Sequence, residues 1–196
     1  MRDVTVERNT AETQITLTLN LDGTGRYLVD TGCGFLNHML ELFARHGRFD
    51  LTITAAGDTE VDYHHTAEDL GITLGQAVAK ALGDMRGICR YGNFLLPMDE
   101  ALVLCAADLS GRCTLGWQVR CPTEKVGDFD VECAKEFWYG FARSVPCTLH
   151  FVQLAGDNSH HILEACFKGM ARALAAAVRV DEAYADEIPS TKGLLV

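Results

Sequence analysis

The strongest constraint on this chain is a repetition. Asp62-Tyr63-His64-His65-Thr66-Ala67-Glu68 returns 96 positions later as Asn158-Ser159-His160-His161-Ile162-Leu163-Glu164. Each copy carries His-His-x-x-Glu two residues after an Asp or Asn, and four of the seven histidines fall in these two motifs. On a helix, adjacent residues diverge by roughly 100°, whereas residues three or four apart share a face. The paired histidines therefore do not readily serve one ion, while each Glu lies on their face. Two metal sites are the expected result.

The repetition reaches beyond the motifs. Phe43-Ala44-Arg45 matches Phe141-Ala142-Arg143 at an offset of 98, and Ala56-Gly57-Asp58 matches Ala155-Gly156-Asp157 at 99. Alternation over 13–21 and 49–55 reads as half-buried strands, with an earlier strand over 2–8. Asp22-Gly23-Thr24-Gly25 is expected to turn the second strand into a hairpin with 26–31. The stripe Leu36, Met39, Leu40, Phe43 marks a helix ending at His46-Gly47, where Gly suits a left-handed cap. Leu70, Leu74, Val78 and Leu82 mark a longer helix opened by the first double histidine, with Asp62 as its N-cap.

The second half follows the same order. Strands are expected over 101–108 and 113–120, then an acidic loop, a helix over 131–143, and a strand through Cys147, Leu149 and Phe151. Asn158 then caps a last helix striped by Ile162, Cys166, Met170, Leu174 and Val178. The fold expected is α+β, two fused β-β-β-α-β-α halves over 1–87 and 88–185, with a polar tail over 186–196. At 196 residues this forms one domain with a sizeable core.

Bulk properties narrow the partners. A net charge of -10 opposes general binding to nucleic acid or a membrane surface, both polyanionic. No apolar run has signal-peptide or membrane-spanning character, so a cytoplasmic address is expected. The eight cysteines form no Cys-x-x-Cys, and several sit in apolar stretches, as buried reduced thiols would.

The candidate metal ligands are His38, His64, His65, Glu68, Glu136, His160, His161 and Glu164. His38 joins the set because the 98-residue offset lands it on Glu136. Imidazole and carboxylate without thiolate suit Mn, Fe, Co or Zn in open coordination, and composition does not choose among them. A single His-His at a helix start would read as ordinary N-terminal polarity; two copies at equivalent places favour ligation. Asp69 faces Ala165 across the repeat and reads as a supporting or charge-pairing residue. His46 and His150 read as structural. Arg90, Arg112, Lys168 and Lys192, with Ser190, are candidates for an anion site, although each alone reads as a solvated charge. Glu12 and Asp99-Glu100 are carboxylates at strand edges, each either an acid-base group or a turn residue.

Together with Asn20-Leu21-Asp22-Gly23-Thr24-Gly25, Phe35-Leu36-Asn37-His38-Met39-Leu40, Leu109-Ser110-Gly111-Arg112 and Pro189-Ser190-Thr191-Lys192-Gly193, these motifs resemble the imidazoleglycerol-phosphate dehydratase family of histidine biosynthesis. The resemblance runs nearly end to end and is to the monofunctional form. It implies a fold like domain 2 of ribosomal protein S5 and a homo-oligomeric shell of 24 subunits. It also implies manganese as Mn2+, two ions per site, between subunits. The implied reaction converts imidazole glycerol phosphate to imidazole acetol phosphate and water. The eight candidate ligands would hold the metal, with Glu136 standing where some relatives have His. Arg90, Arg112, Lys168, Ser190 and Lys192 would hold the substrate phosphate; Glu12, His38 and His64 would also contact substrate. Glu12, His65, Glu68, His161 and Glu164 would carry the chemistry.

With that substrate, the proton to be removed lies on a carbon without an adjacent carbonyl, so metal assistance is needed. Cations on the ring nitrogens would let the azole, as an imidazolate, expel the hydroxyl through a diazafulvene-like species. Glu12 is the expected acid-base group. The competing readings are a binuclear metallohydrolase, which would release phosphate or amine, and a non-enzymatic metal-stapled shell.

Overall fold

Two four-stranded sheets with one strand order organise the chain. The first half runs β1 (Asp3–Asn9), β2 (Thr13–Asn20), β3 (Tyr27–Asp30), α1 (Gly34–Gly47), β4 (Asp50–Gly57), α2 (His64–Leu82). The second runs β5 (Tyr91–Met98), β6 (Ala101–Asp108), β7 (Thr114–Gln118), a ribbon of β8 (Lys125–Val126) and β9 (Phe129–Asp130), α3 (Cys133–Ser144), β10 (Thr148–Ala155), α4 (Ser159–Ala177). This computed structural model describes residues 2–195; Met1 and Val196, the last residue of the expected tail, lie outside them. The sheets read β1-β2-β4-β3 and β5-β6-β10-β7, so the α+β repeat expected from the sequence is present.

The hairpin expected between β2 and β3 is not formed. β3 runs parallel to β4, with Val29 opposite Ile53, and β4 separates it from β2. The cause is local. Asp50 Oδ1 accepts from the backbone N–H groups of Thr24 and Arg26 at 2.8 and 2.9 Å. The turn is thereby anchored to the start of β4 and leads the chain past β2. A Cβ at Gly23 would lie 2.3 Å from the Asp50 nitrogen, so only glycine permits this approach. The left-handed cap of α1 also moves: it falls on Arg48, φ 62°, while Gly47 packs against the ring of Phe49. The strand expected over 113–120 is shortened to β7, and the acidic loop after it contains the unanticipated ribbon.

Each sheet buries one face under its own pair of helices. α2 packs on β1 and β2, and α4 on β5 and β6. The helical layers then meet, α2 against α3 and α1 against α4, giving sheet, helices, helices, sheet. Trp138 is fully buried in that double layer, with ring centroids of Phe137, Phe141, Phe151, Phe167 and Phe43 within 5.0–6.1 Å. Small residues let α2 and α3 approach closely: a Cβ on Gly71 would stand 2.0 Å from the Phe137 carbonyl oxygen. Among the described residues no helix is long and apolar enough to cross a membrane.

Candidate metal centre

Where α1 crosses α4, three potential ligands converge. One nitrogen each from His38 and His160 and one Glu164 oxygen lie within 4.8 Å of one another. The sequence explains the geometry. Asn158 caps α4, its Oδ1 accepting from the backbone N–H groups of His160 and His161 at 2.9 and 3.3 Å. The helix then stacks Glu164 one turn from His160, at 3.2 Å. His38 arrives from α1, its ring 5.8 Å from that of His160, and Phe35 walls the site edge-on to His160 at 5.3 Å. Glu164 is nearly buried and also pairs with Lys168. Burial would raise its carboxyl, but the Lys168 ammonium, with His160 and His38, holds it below the usual range.

The equivalent crossing of α2 with α3 carries His64, Glu68 and Glu136, and here no trio forms among the described residues. Glu68 is bonded at 2.7 Å to Arg143 of α3. The cap differs too. Asp62 accepts from the His64 N–H at 2.7 Å, but Tyr63 occupies the N-cap position and its side chain makes no capping bond.

The second histidine of each pair points elsewhere, as adjacent helical positions require. The two ring planes stand at 87° in the first pair and 81° in the second. His65 Nδ1 lies 2.9 Å from Asp58 Oδ2, and its Nε2 3.8 Å from Glu12. His161 Nδ1 lies 2.8 Å from Glu100 Oε2, and its Nε2 3.6 Å from Asp99. Both imidazoles titrate above the ordinary value, His65 through its bond to Asp58 and His161 through its bond to Glu100. Neither carboxylate was marked as a histidine partner by the sequence, although Asp58 lies in the repeated Ala-Gly-Asp.

A separate pocket of about 370 Å³ gathers four of the five expected anion-site residues: Arg90, Arg112, Ser190 and Lys192 line it with Tyr91 and Ser110. The tail brings two of them. Gly87 N–H donates to Glu187 O at 2.8 Å and Arg90 Nη1 donates to Pro189 O at 2.8 Å, fastening residues 187–189 beside the second sheet. Asp108 holds Arg90 Nε at 2.8 Å and Arg90 lies over the Tyr91 ring. Lys168 does not line this pocket; it stands beside Glu164.

The ribbon ties the two motifs together. Tyr63, just before His64, donates its hydroxyl to Asp128 at 2.8 Å, a bond that pushes the phenol up to about 12. Thr123 is bonded to Ser159, just before His160, at 2.6 Å, and Phe129 packs on Phe35 at 5.2 Å. Asp69 is buried, paired with Arg8 at 2.7 Å and bonded by Thr13, as a charge-pairing residue would be. His150 is exposed in β10, and His46 ends α1 with its imidazole held low by burial. All eight cysteines are free; five are buried, Cys89 and Cys121 are half-buried, and Cys113 is exposed.

A family model described as imidazoleglycerol-phosphate dehydratase matches residues 31–174. The chain is 58% identical over 195 residues to the imidazoleglycerol-phosphate dehydratase of Xanthobacter autotrophicus, covering 100% of this chain and 99% of the relative. It is 56% identical to that of Azorhizobium caulinodans with the same coverage. Among solved structures it resembles the Staphylococcus aureus enzyme at 36% identity and TM-score 0.83, covering 91% of this chain and 99% of the other. IGPD from Pyrococcus furiosus in complex with (S)-C348 is similar at 38% identity and TM-score 0.85, covering 97% and 100%.

Proposed function

The chain belongs to the imidazoleglycerol-phosphate dehydratase family, and from that premise we propose that its duplicated histidine motifs hold two manganese ions at each active site. It is a hydro-lyase of histidine biosynthesis, removing water from imidazole glycerol phosphate to leave imidazole acetol phosphate. The observation that carries the metal reading is the cluster of His38, His160 and Glu164, whose ligand atoms lie within 4.8 Å of one another. Two neutral nitrogens and one carboxylate oxygen fit a divalent ion that keeps further positions open for water or substrate. The counterpart ligands are Glu136, His64 and Glu68, with His65 and His161 completing the set. When bound, the ions would supply Lewis acidity to the azole and a template for its orientation.

The protein's own groups account for the rest. Arg90, Arg112, Ser190 and Lys192 would grip the substrate phosphate, and bidentate guanidinium contacts would set its orientation. Lys168 would reach the phosphate from a neighbouring copy. Glu12, with its carboxylate on the Nε2 side of His65, would carry a proton between the reacting carbons and solvent. His65, His161, Glu68 and Glu136 find no common ion site among the described residues of one chain. That supports a homo-oligomer in which copies complete each other's sites, and the family resemblance implies a shell of 24 subunits. The cytoplasm is the proposed location, since eight free thiols suit a reducing compartment.

A product assay tests this reading. Protein stripped with chelator should form no ketone from the phosphorylated substrate, and manganese should restore it without release of inorganic phosphate. Full turnover after metal removal would contradict the metal assignment.

A further inference from the structure

His65 and His161 share a geometry that the repeat does not explain. Each presents Nδ1 to a carboxylate, at 2.9 and 2.8 Å, yet the two carboxylates come from unmatched places. Asp58 directly follows β4, and its counterpart in the second half is Asp157. Glu100 directly precedes β6, and the residue in that place before β2 is Glu12, which faces the opposite nitrogen of His65 at 3.8 Å. Duplication alone would have put the same position to the same use in both halves. The geometry recurs while its supplier changes.

We infer that Asp58 and Glu100 are positioning residues: each holds the Nδ1–H of its histidine and leaves the Nε2 lone pair directed at a metal ion. This rests on the reading of His65 and His161 as ligands. An imidazole that donates Nδ1–H to a carboxylate has its free lone pair on Nε2, is fixed in rotation, and becomes a stronger ligand. The bland account is a pair of partly exposed histidine–carboxylate contacts, which solvent screens and which contribute little. Two observations oppose it. Glu100 uses both oxygens at the start of α4, Oε1 accepting from the Asn158 N–H at 3.1 Å and Oε2 meeting the imidazole. Asp58 Oδ1 is buried without a donor among the described residues, so His65 is the partner on which that carboxylate depends.

The test is manganese affinity, measured by titrating Mn2+ into the chelator-treated full-length protein and following the free-ion paramagnetic resonance signal. Asp58→Ala and Glu100→Ala should each weaken binding roughly 10- to 100-fold, as loss of such a supporting carboxylate does elsewhere. Asp58→Asn and Glu100→Gln keep an acceptor and should weaken it less, with thermal unfolding of the metal-free protein unchanged. If the alanine variants fail to fold, the amide variants decide. Wild-type affinity in every folded variant would overturn the inference alone. A wild-type protein that takes up no manganese would overturn the metal reading and this inference with it.

Discussion

At the scale of single residues, the proposed site divides into groups that would bind and groups that would move protons. Glu12 is about half exposed, 53% of its side chain, and lies near His65 with no closer side-chain partner among the described residues, which leaves it free to exchange a proton with water. Glu12→Gln should keep manganese and substrate binding while lowering turnover at least ~100-fold, since a positioned acid-base group contributes about that or more. Near-normal turnover in steady-state kinetics would remove Glu12 from the role. Asp50 makes a different residue-scale argument. The backbone N–H groups of Arg26 and Thr24 hold its carboxyl below the ordinary value, so its folded-state pKa lies under that of the unfolded chain. Its contribution to stability is therefore present above about pH 4 and lost as pH falls through the folded value. Asp50→Ala should lower the melting temperature at neutral pH, and the gap to wild type should close in acid. A gap of constant width would mean that Asp50 acts only through shape.

At the scale of elements, the metal motifs depend on how closely helices cross. α2 meets α3 through Gly71, where an added Cβ would fall 2.0 Å from the Phe137 carbonyl oxygen, a backbone atom that cannot swing aside. Alanine gains up to about 1 kcal/mol of helix propensity over glycine. The forced separation costs more, so Gly71→Ala should destabilise by roughly 3 kcal/mol in denaturant unfolding. Neutral or stabilising behaviour would show that the helices can part freely. These crossings were legible in part beforehand. The stripes of α2 and α4 mark which face is buried, and the offset that pairs His38 with Glu136 identifies which helices carry the candidate ligands. The order of strands was not legible. Asp22-Gly23-Thr24-Gly25 has hairpin composition, and only the distant Asp50 redirects it to the far side of β4. The ribbon was hidden for a related reason. Its strands are two residues each, too short for alternation to register, and its contacts are with Tyr63 and Ser159 far along the chain.

At the scale of the molecule, the duplicated fold places one trio of candidate ligands at the α1–α4 crossing and, among the described residues, no such trio at α2–α3. Glu68 is taken by Arg143, and the outer histidines are held against carboxylates on the surface. The pocket of Arg90, Arg112, Ser190 and Lys192 is likewise separate from Lys168 within one chain. Such divided equipment would function if copies of the chain supplied each other's missing parts, as proposed, and metal should then stabilise the assembly as well as the reaction. The most direct measurement is anomalous diffraction at the manganese edge from crystals of the assembled protein. Two peaks per site are expected, one of them at bonding distance from His38, His160 and Glu164. Absence of any peak among those three side chains in metal-replete, active crystals would contradict it.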